Sequence, residues 1–272
     1  MKRFVPIFVL VALILFVPTA PAETINIAAA ISMKEALIDA NVYYNKLTGE
    51  EVEFSFGASG VLLTQIKNGA PIDGFISASA EQVDALESAH LTVPGSRRIV
   101  VRNELVMIVP AASTLKLTSI ASLTRDDVKK IAIGQPKSVP AGAYAMQSLA
   151  ALKLDTALAG KIVNGANVRQ VLDYVQRGEV DAGFVYATDA QQAGIRVKII
   201  ATAPAESHDE IVYPGVVIAA SKNHEAVEQF FAFLASPKGL AIFRNRGFVT
   251  EAPTTKPTTL PATAPARAPR AK

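Results

Sequence analysis

The chain has 272 residues, half of them hydrophobic, with 27 Lys and Arg against 24 Asp and Glu and no cysteine. The missing cysteine excludes a disulfide framework and a lipid-modified cysteine, and His90, His208 and His224 are too scattered to suggest a metal site. The formal charge of +3 misleads: removing Lys2, Arg3, Lys256, Arg267, Arg270 and Lys272 at the two ends from 27 leaves 21 basic against 24 acidic residues, a net of −3 over 23–251 that argues against nucleic acid.

Residues 1–22 have a basic start, the apolar run 5–17 and an Ala20-Pro-Ala22 exit, the pattern of a secretory signal cleaved after Ala22. Thr24–Ala30 reads as a buried strand, and Met33, Ala36, Leu37, Ala40 and Tyr44 mark an amphipathic helix to about Leu47. Ser32 followed by Glu35 has the spacing of a capping box. Val52, Phe54 and Phe56 then alternate with polar residues as in a strand, Gly57-Ala-Ser-Gly60 interrupts, and helical spacing resumes until Asn68-Gly69. Ser59 therefore sits where a strand hands over to a helix. Unpaired N–H groups and the positive end of the peptide dipoles gather there, and flanking glycines allow close approach, so the turn suits an anion. A single serine at such a turn is also an ordinary cap.

Ile72–Ser77 reads as a strand and Ala80–Ala89 as a helix, completing a strand–helix order that implies a parallel sheet. Ile99–Val101 and Leu105–Pro110 are apolar strands flanking Arg102-Asn-Glu104, which reads as a crossing into a second lobe. There, Ser119–Lys130 is expected to be helical, Ile131–Gly134 a strand, Gln135–Gly142 a loop and Ala143–Leu152 a helix. Asn167–Arg177 is a helix closed by Gly178, and Asp181–Ala187 is a strand with a helix after it. Val197–Ile200 is a short edge strand, and the chain returns through Tyr213–Ala220, with crossings expected at Arg102–Glu104 and Tyr213–Gly215. Helices His224–Leu234 and Pro237–Arg246 complete the first lobe.

The expected architecture is α/β with two lobes, each a mostly parallel sheet flanked by helices, and a ligand cleft between them. Residues 1–22 are the signal, 23–103 with 214–250 lobe I, 104–213 lobe II, and 251–272 a Pro/Thr/Ala-rich tail of disordered composition. Four junctions are able to face the cleft: Ser32, Ser59, Ala141–Ala143 and Asn167–Val168. Arg169 on its helix is able to clamp an anion but reads as a surface salt-bridge partner, and Asp73 reads as a cap or interlobe hydrogen-bonder. No nucleophile elbow, metal-binding His motif or phosphate-binding Gly-Lys loop points to an enzyme. A binding protein for another solute, such as sulfate, phosphate or a carboxylate, and a surface-displayed module without a small ligand stay open at this level.

Several stretches together resemble the periplasmic molybdate-binding proteins of ABC import systems, over nearly all of 24–250. They are Ala28-Ala-Ala-Ile-Ser-Met-Lys-Glu-Ala-Leu37, Phe56-Gly-Ala-Ser-Gly60, Gly69–Ala78, Val139-Pro-Ala-Gly-Ala-Tyr-Ala145, Asn167-Val-Arg169, Phe184–Asp189, Tyr213-Pro and Phe243–Phe248. The resemblance implies a type II periplasmic-binding-protein fold that holds molybdate or tungstate without a counter-ion. It places the ligand contacts on the serines Ser32 and Ser59, the backbone N–H groups of Ala141 and Val168, and the Tyr186 hydroxyl. Ile31, where the family usually carries Ala, and Ser79, where an acidic residue is common, depart from its pattern. It further implies no cofactor, no catalytic residue and no free metal cation, a permease partner at the membrane, a monomer, and hinge closure around the anion. Another oxyanion such as sulfate is the alternative ligand.

Overall fold

Apolar residues at strand spacing build two five-stranded sheets in the computed structural model, which describes residues 24–250. The signal (1–22) and tail (251–272) expected from the sequence lie outside the described residues.

The first sheet contains β1 (Ile25–Ala30), β2 (Val52–Gly57), β3 (Gly74–Ile76), β4 (Arg98–Arg102) and, much later in the chain, β10 (Val212–Val217), in the order β2-β1-β3-β10-β4. The second contains β5 (Leu105–Pro110), β6 (Ile131–Gly134), β7 (Ile162–Gly165), β8 (Ala182–Tyr186) and β9 (Val197–Thr202), ordered β7-β6-β8-β5-β9. β1 pairs in parallel with β2 and β3, and β6 with β7 and β8. Only β10 in the first sheet and β5 in the second run against their neighbours. Each is the strand entered directly after the chain crosses between sheets, so one reversed strand marks each crossing.

Helices α1 (Lys34–Thr48), α2 (Ser59–Lys67), α3 (Ala80–Glu87), α8 (His224–Leu234) and α9 (Pro237–Asn245) cover the first sheet. The second carries α4 (Pro140–Ala151), the short α5 (Asp155–Leu158), α6 (Val168–Gln176) and α7 (Ala187–Ala193). Packing follows residue spacing: α6 buries Val168, Val171, Leu172 and Val175, one stripe of a 3.6-residue period. On β1, Ile27 and Ala29 belong to one apolar cluster and Ala28 to another with Leu62, Ile66 and Phe75, so the first sheet is buried on both faces.

Four expectations are corrected. Residues 119–130 form only a 3-10 turn, Ile120–Thr124, because Ser122 and Thr124 bond local backbone carbonyls and the Asp181 carboxylate captures the N–H groups of Lys129 and Lys130. The second crossing is the segment 203–211 between β9 and β10, while Tyr213–Gly215 lies inside β10, where a register shift accommodates Pro214. Helix α4 begins at Pro140 and takes in Ala141 and Gly142, which were expected in a loop. Ser32 and Glu35 form no capping box: Ser32 lies in a 3-10 turn, Ile31–Met33, without a side-chain cap, and Glu35 turns elsewhere.

A third strand of chain reinforces the crossings. Arg102 and Val249 exchange two backbone hydrogen bonds of 2.7 and 3.0 Å, tying the chain after α9 to the end of β4.

Candidate functional site

The parallel strands β1 and β2 of one sheet and β6, β7 and β8 of the other deliver their carboxyl ends to one small cavity. It is narrow and is lined by Ala30, Ile31, Ser32, Gly57, Ala58, Ser59 and Ala78 from the first lobe, and by Val139, Pro140, Ala141, Val168 and Tyr186 from the second. The structure thus brings Ser32, Ser59, Ala141, Val168 and Tyr186 together. No lining residue is charged.

Three helices start at this cavity. Ser59 is the first residue of α2, Ala141 the second of α4 and Val168 the first of α6. First-turn N–H groups have no carbonyl four residues back to bond, and each helix start carries the positive end of its dipole. On α6 the Asn167 carboxamide oxygen satisfies Gln170 N, which leaves the Val168 amide for the cavity. Pro140 at the start of α4 has no N–H and fixes a helical φ, so Ala141 presents the first available amide of that turn.

The hydroxyls are polarised to donate. Ser59 Oγ accepts the Ala78 N–H at 3.0 Å, which commits a lone pair and leaves its proton for the cavity. Asn103 Nδ2 donates to the Tyr213 hydroxyl at 3.3 Å, and that hydroxyl lies 3.0 Å from Ser32 Oγ. If the relay runs in that sense, Ser32 accepts from Tyr213 and its own proton is free to point inward. Tyr213 was not foreseen as a site residue. The signal available was an aromatic hydroxyl on a strand beside Pro214, which sequence alone reads as core.

Tyr186 completes the set. It is 1% exposed, and its hydroxyl oxygen is buried with no hydrogen-bond partner among the described residues. Burial, reinforced by Tyr213, raises its pKa well above the ordinary tyrosine value, so the group keeps its proton. A buried O–H without an acceptor is costly, and an anion in the cavity would relieve that cost. Tyr186→Phe is expected to weaken anion binding by about 2 kcal/mol, within the range for hydrogen bonds to charged groups, while leaving the melting temperature of the unliganded protein unchanged or higher. Calorimetry and thermal unfolding of the same variant check both halves.

Beside the cavity, α6 carries Arg169. Its guanidinium meets Glu35 of α1 with two hydrogen bonds, Nη1 to Oε1 at 3.1 Å and Nη2 to Oε2 at 2.6 Å, while Nε lies 2.7 Å from Asp189 Oδ1 of α7. Asp189 Oδ2 accepts the Tyr186 N–H. Burial raises the Asp189 carboxyl to about 6 against the opposing pull of the Arg169 charge. Arg169 is thus a salt-bridge partner, as expected, but a largely buried one that reaches the other lobe. Asp73 bonds Asn26 N and Ser221 Oγ inside the first lobe and joins no interlobe contact of this kind.

The lobes also meet in neutral contacts, among them Gln191 Nε2 of α7 donating to Asn245 O of α9 at 3.3 Å. Gly60 N donates to Ser138 O at 3.0 Å and the Tyr144 hydroxyl reaches Ala78 O at 3.4 Å. These contacts, with residues of both lobes lining one narrow cavity, describe a closed form. A larger groove at the crossings is lined by Arg102, Glu104, Thr202, Ala203, His208 and Glu210 among others, and it holds the Arg102–Glu210 ion pair. Among the described residues, no group of three His, Cys, Asp or Glu is placed to hold a metal ion.

Comparison with known proteins gives a consistent family. The sequence profile of the bacterial extracellular solute-binding proteins matches residues 25–249. The chain is 35% identical over 228 residues to the molybdate-binding protein ModA of Escherichia coli (strain K12), covering 82% of this chain and 88% of that protein. It is 37% identical over 229 residues to YvgL of Bacillus subtilis (strain 168), by name a candidate ABC transporter substrate-binding lipoprotein, covering 84% and 87%. Among solved structures, the periplasmic molybdate-binding protein of Azotobacter vinelandii superposes with a TM-score of 0.75 at 28% identity, covering 84% of this chain and all of that one. The sulfate-binding protein SubI of Mycobacterium tuberculosis H37Rv superposes at 0.70, covering 83% and 86%, with 17% identity, a likeness of fold alone.

Proposed function

We propose that this chain, which belongs to the bacterial extracellular solute-binding protein family, captures molybdate and delivers it to an ABC importer. The observation that carries the reading is the buried, unpartnered Tyr186 hydroxyl in a cavity of uncharged lining residues with three helix starts around it. The 34–37% identities to molybdate-binding and ABC substrate-binding relatives support it.

The chemistry follows from the donor set. A fully ionised tetrahedral oxyanion has only acceptors, and the Ser32, Ser59 and Tyr186 hydroxyls with the Ala141 and Val168 amides can all donate to it. Hydrogen bonds to an ionised acceptor in a dry cavity are short and strong. A protonated anion such as hydrogen phosphate brings an O–H that one of these hydroxyls must turn to accept, which costs the anion a donor and penalises it. Between molybdate and sulfate, size decides: the larger tetrahedron keeps donors from both lobes in range. Tungstate, nearly the same size as molybdate, binds comparably. No enzymatic step is part of this reading.

Export through the signal at 1–22, cleavage after Ala22, a periplasmic location, a monomeric state and docking of the closed form on a membrane permease belong to the same proposal. The C-terminal segment 251–272 is assigned no role. Titration calorimetry with molybdate, tungstate, sulfate and phosphate side by side tests the reading. The expected result is tight binding of the first two and weak or no binding of the others. Preference for sulfate would transfer the protein to the alternative ligand, and silence with all four would remove the oxyanion reading.

A further inference from the structure

The Arg169 cluster has no place in the donor set just described, yet it is built from parts of both lobes. Arg169 and Asp189 belong to the second lobe and Glu35 to the first. Asp189 is fully buried and the Arg169 side chain is 18% exposed, whereas Glu35 keeps 25% of its side chain in solvent. The three groups sum to one negative charge, so the cluster does not draw an anion inward. Its geometry instead resembles a hook and an eye.

Within the second lobe, the Asp189 carboxylate lies 2.7 Å from Arg169 Nε, an ion-pair contact without hydrogen-bond alignment, and the Nη1–Nη2 edge faces the first lobe. That edge is the fork suited to a carboxylate. Glu35 stands in the first turn of α1, three residues after Ser32. Arg169 directly follows Val168, which lines the cavity, and Asp189 fixes the backbone N–H of Tyr186. The ion pair therefore connects the two walls of the cavity at positions next to their ligand-facing groups, without itself lining it. Among the described residues it is the only ion pair that joins a helix of one lobe to a helix of the other; the Arg102–Glu210 pair links β4 to the crossing segment 203–211.

From this arrangement we infer that Glu35 and Arg169 form a closure latch, pre-set by Asp189, that fixes how long a captured oxyanion is retained. Arg169 and Glu35 are positioning residues: they hold the serine and tyrosine walls together and touch no ligand. The latch engages only when the lobes meet, so it acts on escape and leaves encounter with the open form alone. Losing it raises the dissociation rate, while the association rate is unchanged. The inference rests on the oxyanion reading for its ligand and on the interlobe geometry for its mechanics.

Glu35→Gln is the informative variant, because it removes the first-lobe charge from a partly exposed position and leaves the buried Arg169–Asp189 pair intact. In stopped-flow measurements with molybdate, the variant should dissociate about 10-fold faster with association unchanged within about twofold, a change of about 1.4 kcal/mol in affinity. In an Arg169→Lys background, where the charge is kept but the fork is lost, the same Glu35→Gln change should have a much smaller effect. Equal dissociation rates for wild type and Glu35→Gln, or a full-sized effect in the Lys background, would overturn the latch. A spin-label pair, one label on each lobe of the full chain, supplies an arm independent of the ligand's identity. Glu35→Gln should lower the closed fraction; identical distance distributions with and without the substitution overturn the latch even if molybdate binds. Failure of wild type to bind any of the four oxyanions would instead count against the function proposed above, and the label distances would still decide the latch.

Discussion

Gly142→Ala is expected to lower the melting temperature by about 6–12 °C, corresponding to about 3 kcal/mol for a chain of this size. A Cβ on Gly142 would lie 1.8 Å from the Gly134 carbonyl oxygen and 2.5 Å from its carbon. Both are backbone atoms at the end of β6, so no side-chain rotation relieves the clash. Either α4 slides away from its strand or the strand end distorts. The close approach has a purpose: it seats the first turn of α4, and with it the Ala141 amide, against the cavity. Weaker anion binding should accompany the lost stability. Gly160→Ala is the control, since a Cβ there meets nothing within 4 Å; it should change stability by no more than about 0.5 kcal/mol. Thermal unfolding of the two variants side by side checks the contrast, and equal melting temperatures would refute it.

Gly60→Val should do the reverse, sparing the fold and abolishing tight capture. A Cβ at Gly60 would come within 2.8 Å of Ser138 Cα and 2.9 Å of Ser138 O, atoms of the opposite lobe. In an opened molecule that neighbour is absent, and valine is a slightly better helix residue than glycine. Stability of the unliganded protein should therefore stay within about 0.5 kcal/mol. Closure, by contrast, must push a backbone–backbone contact apart and give up the Gly60–Ser138 hydrogen bond. An affinity loss of about 100-fold or more, roughly 3 kcal/mol, follows. Calorimetry beside thermal unfolding separates the outcomes: a normal affinity would mean that the two lobes need not approach as closely as they do here. The two glycines thus test different things. Gly142 holds one lobe together, and Gly60 lets one lobe meet the other.

Much of this organisation could be read along the chain where local chemistry and tertiary packing agree. The helix after Asn167 has a cap, an apolar stripe at the right period and a closing Gly178, and it is found at Val168–Gln176. Ser59 was expected beside the start of its helix and is its first residue. The misses fall where a distant partner decides. Ser32 and Glu35 have the spacing of a cap, but a tyrosine 181 residues away engages the serine and an arginine 134 residues away engages the glutamate. The segment around Arg125–Asp127 has helix-compatible residues, yet Asp181 draws Lys129 and Lys130 out of a helix. β7 is four residues with half-buried Ile162 and Val163 at a sheet edge, too short and too exposed to announce itself. That several helix starts meet at one point is a property of the two sheets together, and no periodicity records it.

The paired backbone bonds between Arg102 and Val249 have a consequence for how the molecule can be held. They fasten the last described stretch of chain to the axle, beside the segment that leads from β4 to β5, and not to either jaw. Swinging the jaws apart displaces an axle far less than it displaces their rims. A bead, surface or fusion partner joined directly after residue 250 would therefore ride on the stillest part of the protein and leave it free to gape and shut.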